Sequence, residues 1–356
     1  MNNFDAPNLN VEYFDPVRYR KDVRKDIRFL VLFMVAYFAV NTTAAGTIAA
    51  VGMFLDPSFL GSIISAVANS SGDPLAVLDS VTAAESAMQA AMSSSITIVA
   101  TMVGAIAGAL MLMIPRGKRF FTDIALPSEK KWSPSVIFIL IMSMFALQEI
   151  LTLLIAGIDA LISAGPGGFG GKSISSSYDN LMAGFVSPLG AVYVVLIGPV
   201  FEELVFRGAI LGQLRKYGTN FAILMSALFF GFFHMVPVQI PTGFLIGLLL
   251  GYAAIRYSLR MSIILHMINN GVGMIQMSFG AGSFVTQTLN IVILLCGIAA
   301  VALLIARNKA FSEIVHSCKN PVAGTNVWGV TTELFLLFMA VCLAIGIFVT
   351  SSPLLS

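Results

Sequence analysis

Residues 189–211 read LGAVYVVLIGPVFEELVFRGAIL, an apolar run broken by only three charges, Glu202, Glu203 and Arg207. About 20 such residues are needed to cross the hydrocarbon core of a bilayer as a helix, and a span is predicted over 185–206. Charges inside such a run are costly and mark functional positions by default. Helical spacing separates their roles. Glu203 and Arg207 are four apart with the acid N-terminal, the favourable orientation for an ion pair. Glu202 lies five before Arg207 and points elsewhere. A carboxylate held by no partner in a low-dielectric setting is a candidate proton acceptor.

The rest of the chain is of the same kind. Of 356 residues, 57% are hydrophobic and 11% charged, with a mean hydropathy of +0.90. Soluble chains carry about 25% charged residues, so a soluble globule is excluded. The fold class is all-α, a polytopic transmembrane helical bundle of about eight or nine spans. Nine are read here: 29–53, 94–115, 134–163, 185–206, 219–236, 240–258, 261–279, 284–306 and 328–350. Four regions follow: a cytoplasmic N-terminal segment 1–28, an N-terminal transmembrane region 29–184 with outer loops, a helical core 185–306, and a cytoplasmic linker with the last span, 307–356. No cleavable signal is visible in the polar first 28 residues, so the first span reads as an uncleaved anchor.

Lys and Arg set the orientation. Arg18, Arg20, Lys21, Arg24, Lys25 and Arg28 precede the first span and place the N-terminus in the cytoplasm. The 56–93 loop has no Lys or Arg, and the 164–184 loop has only Lys172 in a Gly/Ser-rich linker; both are expected outside. The 62–92 stretch is expected to form surface helix. Arg116, Lys118, Arg119, Lys130 and Lys131, then Arg207, Arg215 and Lys216, then Arg256 and Arg260, and finally Arg307, Lys309 and Lys319 all fall inside. Basic residues in clusters between spans imply no nucleic-acid partner. Cys296, Cys318 and Cys342 are few and scattered, which implies small buried side chains and no disulfide framework.

Outward from the opening stretch, two more helices carry polar groups. Span five ends Phe229-Phe-Gly-Phe-Phe-His234, and span seven contains His266-Met-Ile-Asn-Asn270. Only three histidines exist in the chain, and two of them lie here. Phe230 is four before His234 and can pack on its ring; His266 and Asn270 are four apart on one face. With the turn near residue 218, Glu202 and His234 are each 16 residues away from it and sit at one level of an antiparallel hairpin. His266 lies about 9 Å into its own span from the turn at Leu259–Arg260, at 1.5 Å per residue. One Glu, two His and one Asn are therefore expected to meet below the cytoplasmic face.

Glu202-Glu203-x-x-x-Arg207, Phe230-x-x-x-His234 and His266-x-x-x-Asn270 resemble the three ordered motifs of the CPBP family, the CAAX-protease and bacteriocin-processing (Abi) membrane peptidases. Gly208 after the arginine fits as well. The resemblance covers about 185–305, and nothing is inferred from it for spans one to three or nine. It implies an intramembrane endopeptidase in which Glu202 activates water, His234 assists as proton carrier or metal ligand, and His266 and Asn270 stabilise the oxyanion. Glu203 and Arg207 are the supporting pair. If a metal is used, Glu202, His234 and His266 are its ligands and Zn2+ suits them; the HExxH spacing is absent, and a metal-free glutamate route is preferred. Substrates in view are a membrane-associated protein or peptide: a prenylated C-terminal tail, a bacteriocin leader or a membrane-anchored protein. The bilayer is the constant partner, and a plasma-membrane location with a cytoplasm-facing site is expected.

Other polar residues have plainer readings. Glu149 after Gln148 is expected to hydrogen-bond between helices, Asp159 to be interfacial, and His316 to be solvated. Gly243, Gly247 and Gly251 form a close helix contact. Two rival functions remain: a non-catalytic bacteriocin-immunity or scaffold protein of the same fold, and a proton-coupled transporter. The second lacks the paired half-helices and repeats of transporters.

Overall fold

The computed structural model describes residues 16–55, 95–116, 133–164, 185–280, 282–306 and 333–351, with 61, 64, 65, 68 and 182 besides. Its helices are α1 Pro16–Leu55, α2 Ser95–Arg116, α3 Pro134–Ala164, α4 Pro188–Tyr217, α5 Thr219–Phe233, α6 Gln239–Arg256, α7 Leu259–Phe279, α8 Phe284–Ala306 and α9 Glu333–Ser351. No strand occurs among the described residues. The protein is an all-helical integral membrane protein. The stretches Lys21–Ile48, Pro134–Ile158, Pro188–Tyr217 and Gln239–Arg256 are long and apolar enough to cross a bilayer. Ile98–Met111, Thr219–Phe233, Phe284–Ala299 and Glu333–Ile347 are shorter apolar helices. Helix α7 falls in neither group because His266, Asn269, Asn270 and Gln276 dilute its hydropathy. The expected outer loops, the surface helix over 62–92, His316 and Cys318 fall largely or wholly outside the described residues.

Helix α1 starts earlier than the apolar pattern alone suggests. Val23, Ile27, Leu30, Met34 and Tyr37 are buried at helical spacing, while Lys21, Arg24, Lys25 and Arg28 face outward. The polar segment thus continues one amphipathic stripe. It is pinned to the end of α4. Tyr19 donates its O–H to the Tyr217 carbonyl at 2.8 Å, and Tyr217 donates to Asp26 at 2.8 Å. Lys216 pairs with Asp26 at 2.6 Å. Partial burial at this clasp pushes the Tyr19 phenol above its ordinary value.

The main core joins α1 to the 185–306 region. Ile27, Leu30, Met34 and Tyr37 pack with Phe206, Ile210, Leu211, Phe229 and Phe230, and with Phe335 and Phe338 of α9. A second cluster joins α3 to α6 and α7 through Met144, Leu250, Met261 and Leu265. The α5–α6 contact is as close as the glycine spacing predicts. A Cβ on Gly243 would stand 3.2 Å from Gly231 Cα, and one on Gly247 3.1 Å from Ala227 Cα. Cys342 is buried and Cys296 half-buried, and both are free.

The turn after α5 is strained and braced from outside. Met235 has φ 55°, a left-handed conformation that side-chain-bearing residues adopt at a cost of about 1–2 kcal/mol. Its carbonyl points at Gly346 of α9, where an added Cβ would lie 1.6 Å from the oxygen. No side chain fits there, so α9 holds the backbone that follows His234. Gly346→Ala should therefore lower stability by about 1–3 kcal/mol through forced displacement of this turn. A chemical-denaturation midpoint in detergent measures it; an unchanged midpoint would show that the turn moves freely.

Candidate active site

Helix α4 departs from α-geometry twice, over Tyr193–Ile197 and Leu204–Leu211, where the backbone is π-helical. Such widened turns are rare and cluster at functional sites. Proline explains the consequence of the first. The Gly198 N–H bonds to the Tyr193 carbonyl, and Pro199 has no N–H, so the Val194 carbonyl loses its partner in the helix. Asn270 Nδ2 of α7 fills that place at 2.9 Å. Asn269 Nδ2 in turn donates to Asn270 Oδ1 at 3.3 Å, which fixes the orientation of the Asn270 amide. At the second π-segment, Ser226 of α5 donates to the Phe206 carbonyl at 2.8 Å.

Between the π-segments stand the two glutamates. Glu203 is fully buried, and its Oε1 lies 2.9 Å from Arg207 Nη1, the predicted i,i+4 pair. The same oxygen lies 2.9 Å from His266 Nδ1, and Ser262 Oγ donates to Oε2. Ser262 Oγ also stands 3.0 Å from the Leu250 carbonyl; one proton serves one acceptor, and the carboxylate is the stronger. Arg207 is equally buried. Its Nη2 donates to the Gly247 carbonyl at 3.3 Å and its guanidinium lies 4.3 Å from the Phe230 ring centre. Its Nε has no acceptor among the described residues. The Nη1–Oε1 contact is a close ion pair without hydrogen-bond alignment.

Glu202 does point elsewhere, with its side chain 20% exposed. Its Oε2 lies 3.7 Å from His266 Nε2. The two adjacent glutamates thus address opposite nitrogens of one imidazole. Because Glu203 only accepts, the proton on Nδ1 belongs to His266, and Nε2 is the nitrogen that meets Glu202. His234 is oriented likewise: its Nδ1 lies 2.9 Å from the Phe230 carbonyl, which can only accept. Phe230 separates the two histidines, with ring centres 4.8 Å from His234 and 5.5 Å from His266, both edge-on. The hairpin register predicted from the turn at 218 is visible one helical turn closer to that turn, where Phe206 meets Phe230 at 5.1 Å. His234 is in electrostatic contact with Glu202 and His266.

The sequence-predicted residues Glu202, Glu203, Arg207, His234, His266 and Asn270 therefore lie together, from α4, α5 and α7. Two contributors were not anticipated. Ser262 is four before His266 and eight before Asn270, so its face was legible from spacing alone. The role of Glu203 as the anchor of His266 was not, because it depends on how α7 rotates against α4.

Glu202, His234 and His266 are the side chains a metal would draw on. Both rings hold Nδ1 on an oxygen, as metal-bound histidines do. Yet among the described residues no three His, Cys, Asp or Glu side chains converge to hold an ion. The arrangement does not fit a metal, and no step is derived through one.

Residues 184–272 match the model of the Rce1-like family, described as type II CAAX prenyl endopeptidase Rce1-like. No curated protein and no solved structure matches the chain. The matched segment spans every residue of the cluster, from Glu202 to Asn270. That segment, a quarter of the chain, is similar to the CAAX-protease family of membrane proteins.

Proposed function

We propose that this protein is an intramembrane endopeptidase that hydrolyses a peptide bond of a membrane-associated protein or peptide with water activated by Glu202. The observation that carries the reading is the meeting of Glu202 with His266 at 3.7 Å, inside a frame fixed by Glu203, Arg207 and Ser262. The likeness of residues 184–272 to the Rce1-like family supports a protease, with a CAAX-type tail as one substrate class in view.

In this reading Glu202 takes a proton from water as the oxygen adds to the scissile carbonyl carbon. The carbonyl oxygen becomes an oxyanion. Asn270 has one amide N–H committed to Val194 and a second for that oxyanion. His266 donates beside it when Nε2 carries a proton, with Glu203 holding Nδ1–H in place. Removal of one such donor typically costs about 10²–10³ in rate. Collapse breaks the C–N bond, and Glu202 returns its proton to the leaving amine. His234, on the other side of Phe230, assists the proton traffic. The N-terminus cytoplasmic, nine crossings, a plasma-membrane location and a site open to the cytoplasmic side complete the proposal.

A quantitative survey of peptide termini tests it, comparing membranes that hold the wild type or Glu202→Ala at matched levels. New termini that require Glu202 are expected, and they identify the substrate. Identical termini, with the variant folded, would favour the immunity or scaffold reading.

A further inference from the structure

The first turns of α1 sort their charges by face. Six of the eight residues Lys21–Arg28 are charged. The two acids, Asp22 and Asp26, are four apart and share one face. Asp26 is held there against the end of α4, by Lys216 at 2.6 Å and by the Tyr217 hydroxyl at 2.8 Å. The four bases, Lys21, Arg24, Lys25 and Arg28, follow one another at steps of three and four, and all are exposed. Their face is turned away from the buried stripe of Val23, Ile27 and Leu30. Arg28 lies 3.6 Å from Glu333 at the start of α9, but both side chains are largely in the open, and such a pair holds weakly.

The basic face changes character within one turn. Leu32 is four residues after Arg28 and Val35 seven, so both continue the same exposed stripe, with Phe29 beside them. The three are 53% (Phe29), 60% (Leu32) and 52% (Val35) exposed. Lys21–Ile48 is long and apolar enough to cross a bilayer, so these side chains face acyl chains. One continuous face of α1 therefore passes from hydrocarbon to four cations. From Lys21 to Arg28 the helix rises about 10 Å, at 1.5 Å per residue. The polar layer on each side of the hydrocarbon is about 5–8 Å deep, so the cations stand at the level of the lipid phosphates. A soluble acidic partner would have to displace lipid to seat on this face, whereas an acidic membrane surface meets both its halves at once.

We infer that this face of α1 is a docking surface for anionic lipid headgroups, which Lys21, Arg24, Lys25 and Arg28 select over zwitterionic ones. The contact sets the depth of α1 in the bilayer. Through Asp26, Lys216 and Tyr217 it also sets the depth of the end of α4, the helix that carries Glu202 and Glu203. The inference is independent of the peptidase reading.

The test uses the purified full chain in phosphatidylcholine vesicles, with Phe29→Trp as a reporter on the face itself and Trp132→Phe and Trp328→Phe to silence the native indoles. Quenching by brominated phosphatidylglycerol, compared with brominated phosphatidylcholine, gives the relative affinity of the two headgroups at α1. One basic residue at an anionic surface is worth about fivefold in binding. A preference of at least about fivefold for phosphatidylglycerol is therefore expected at low salt, shrinking as salt screens it. The triple variant Lys21→Gln, Arg24→Gln, Lys25→Gln should bring the preference below about twofold. Arg260→Gln, which removes an exposed cation at the start of α7, should leave it unchanged. If the triple variant inserts poorly, Lys25→Gln alone replaces it and should lower the preference by at least about twofold. Inorganic phosphate at constant ionic strength should have no effect. No preference in the reporter protein, an undiminished one in the charge-removed variant, or an equal fall with Arg260→Gln would overturn the inference. Loss of the preference on adding phosphate would overturn it too, by showing a site for a soluble anion.

Discussion

Arg207→Met is expected to lose folded protein on a scale of about 3–5 kcal/mol, the usual penalty for removing one partner of a fully buried ion pair. Arg207 and Glu203 are both without solvent exposure and meet at 2.9 Å. The guanidinium also covers Phe230 and holds the Gly247 carbonyl. Its removal leaves the fully buried Glu203 charge with only Ser262 and His266 as partners. Those two groups then lose their fixed anchor, so activity falls along with stability. A double variant, Arg207→Met with Glu203→Gln, should cost clearly less than the sum of the single losses, since contacting residues couple. Denaturation midpoints of the four proteins in one detergent decide the matter. A loss below about 1 kcal/mol for Arg207→Met would mean that water reaches this pair and that it is not the keystone described here.

The sequence was most informative where spacing alone decides geometry. The Glu203–Arg207 pair, the edge-on contact of Phe230 with His234, the α5–α6 glycine contact and the hairpin register all follow from i,i+4 neighbours or from distance to a turn. Most helical boundaries followed from hydropathy, except the start of α1 at Pro16 and the end of α4 at Tyr217. Ser262 was equally legible, since it shares the face of His266 and Asn270.

Features that need two helices in a known mutual rotation were not legible. Glu203 reaching His266 depends on how α7 is turned against α4. The coupling of Asn270 to Val194 depends on a π-turn, which Pro199 hints at but does not specify. The start of α1 at Pro16 was missed because charged residues on the outer face masked the stripe of Val23 and Ile27.

The second large effect belongs to Glu202, and it concerns rate with stability preserved. Glu202 is partly exposed, has no ion pair with Arg207, and contacts His266 at 3.7 Å, so its removal leaves no buried charge stranded. A general base contributes typically about 10²–10⁴ in rate. Glu149, a half-buried carboxylate on α3 outside the cluster, is the matched control. The most direct measurement is therefore the cleavage rate of one substrate peptide by purified wild type, Glu202→Gln and Glu149→Gln in the same detergent. A loss of at least about a hundredfold is expected for Glu202→Gln at an unchanged melting temperature, with Glu149→Gln close to wild type. Equal losses in both variants, or none in Glu202→Gln, would contradict the role of Glu202.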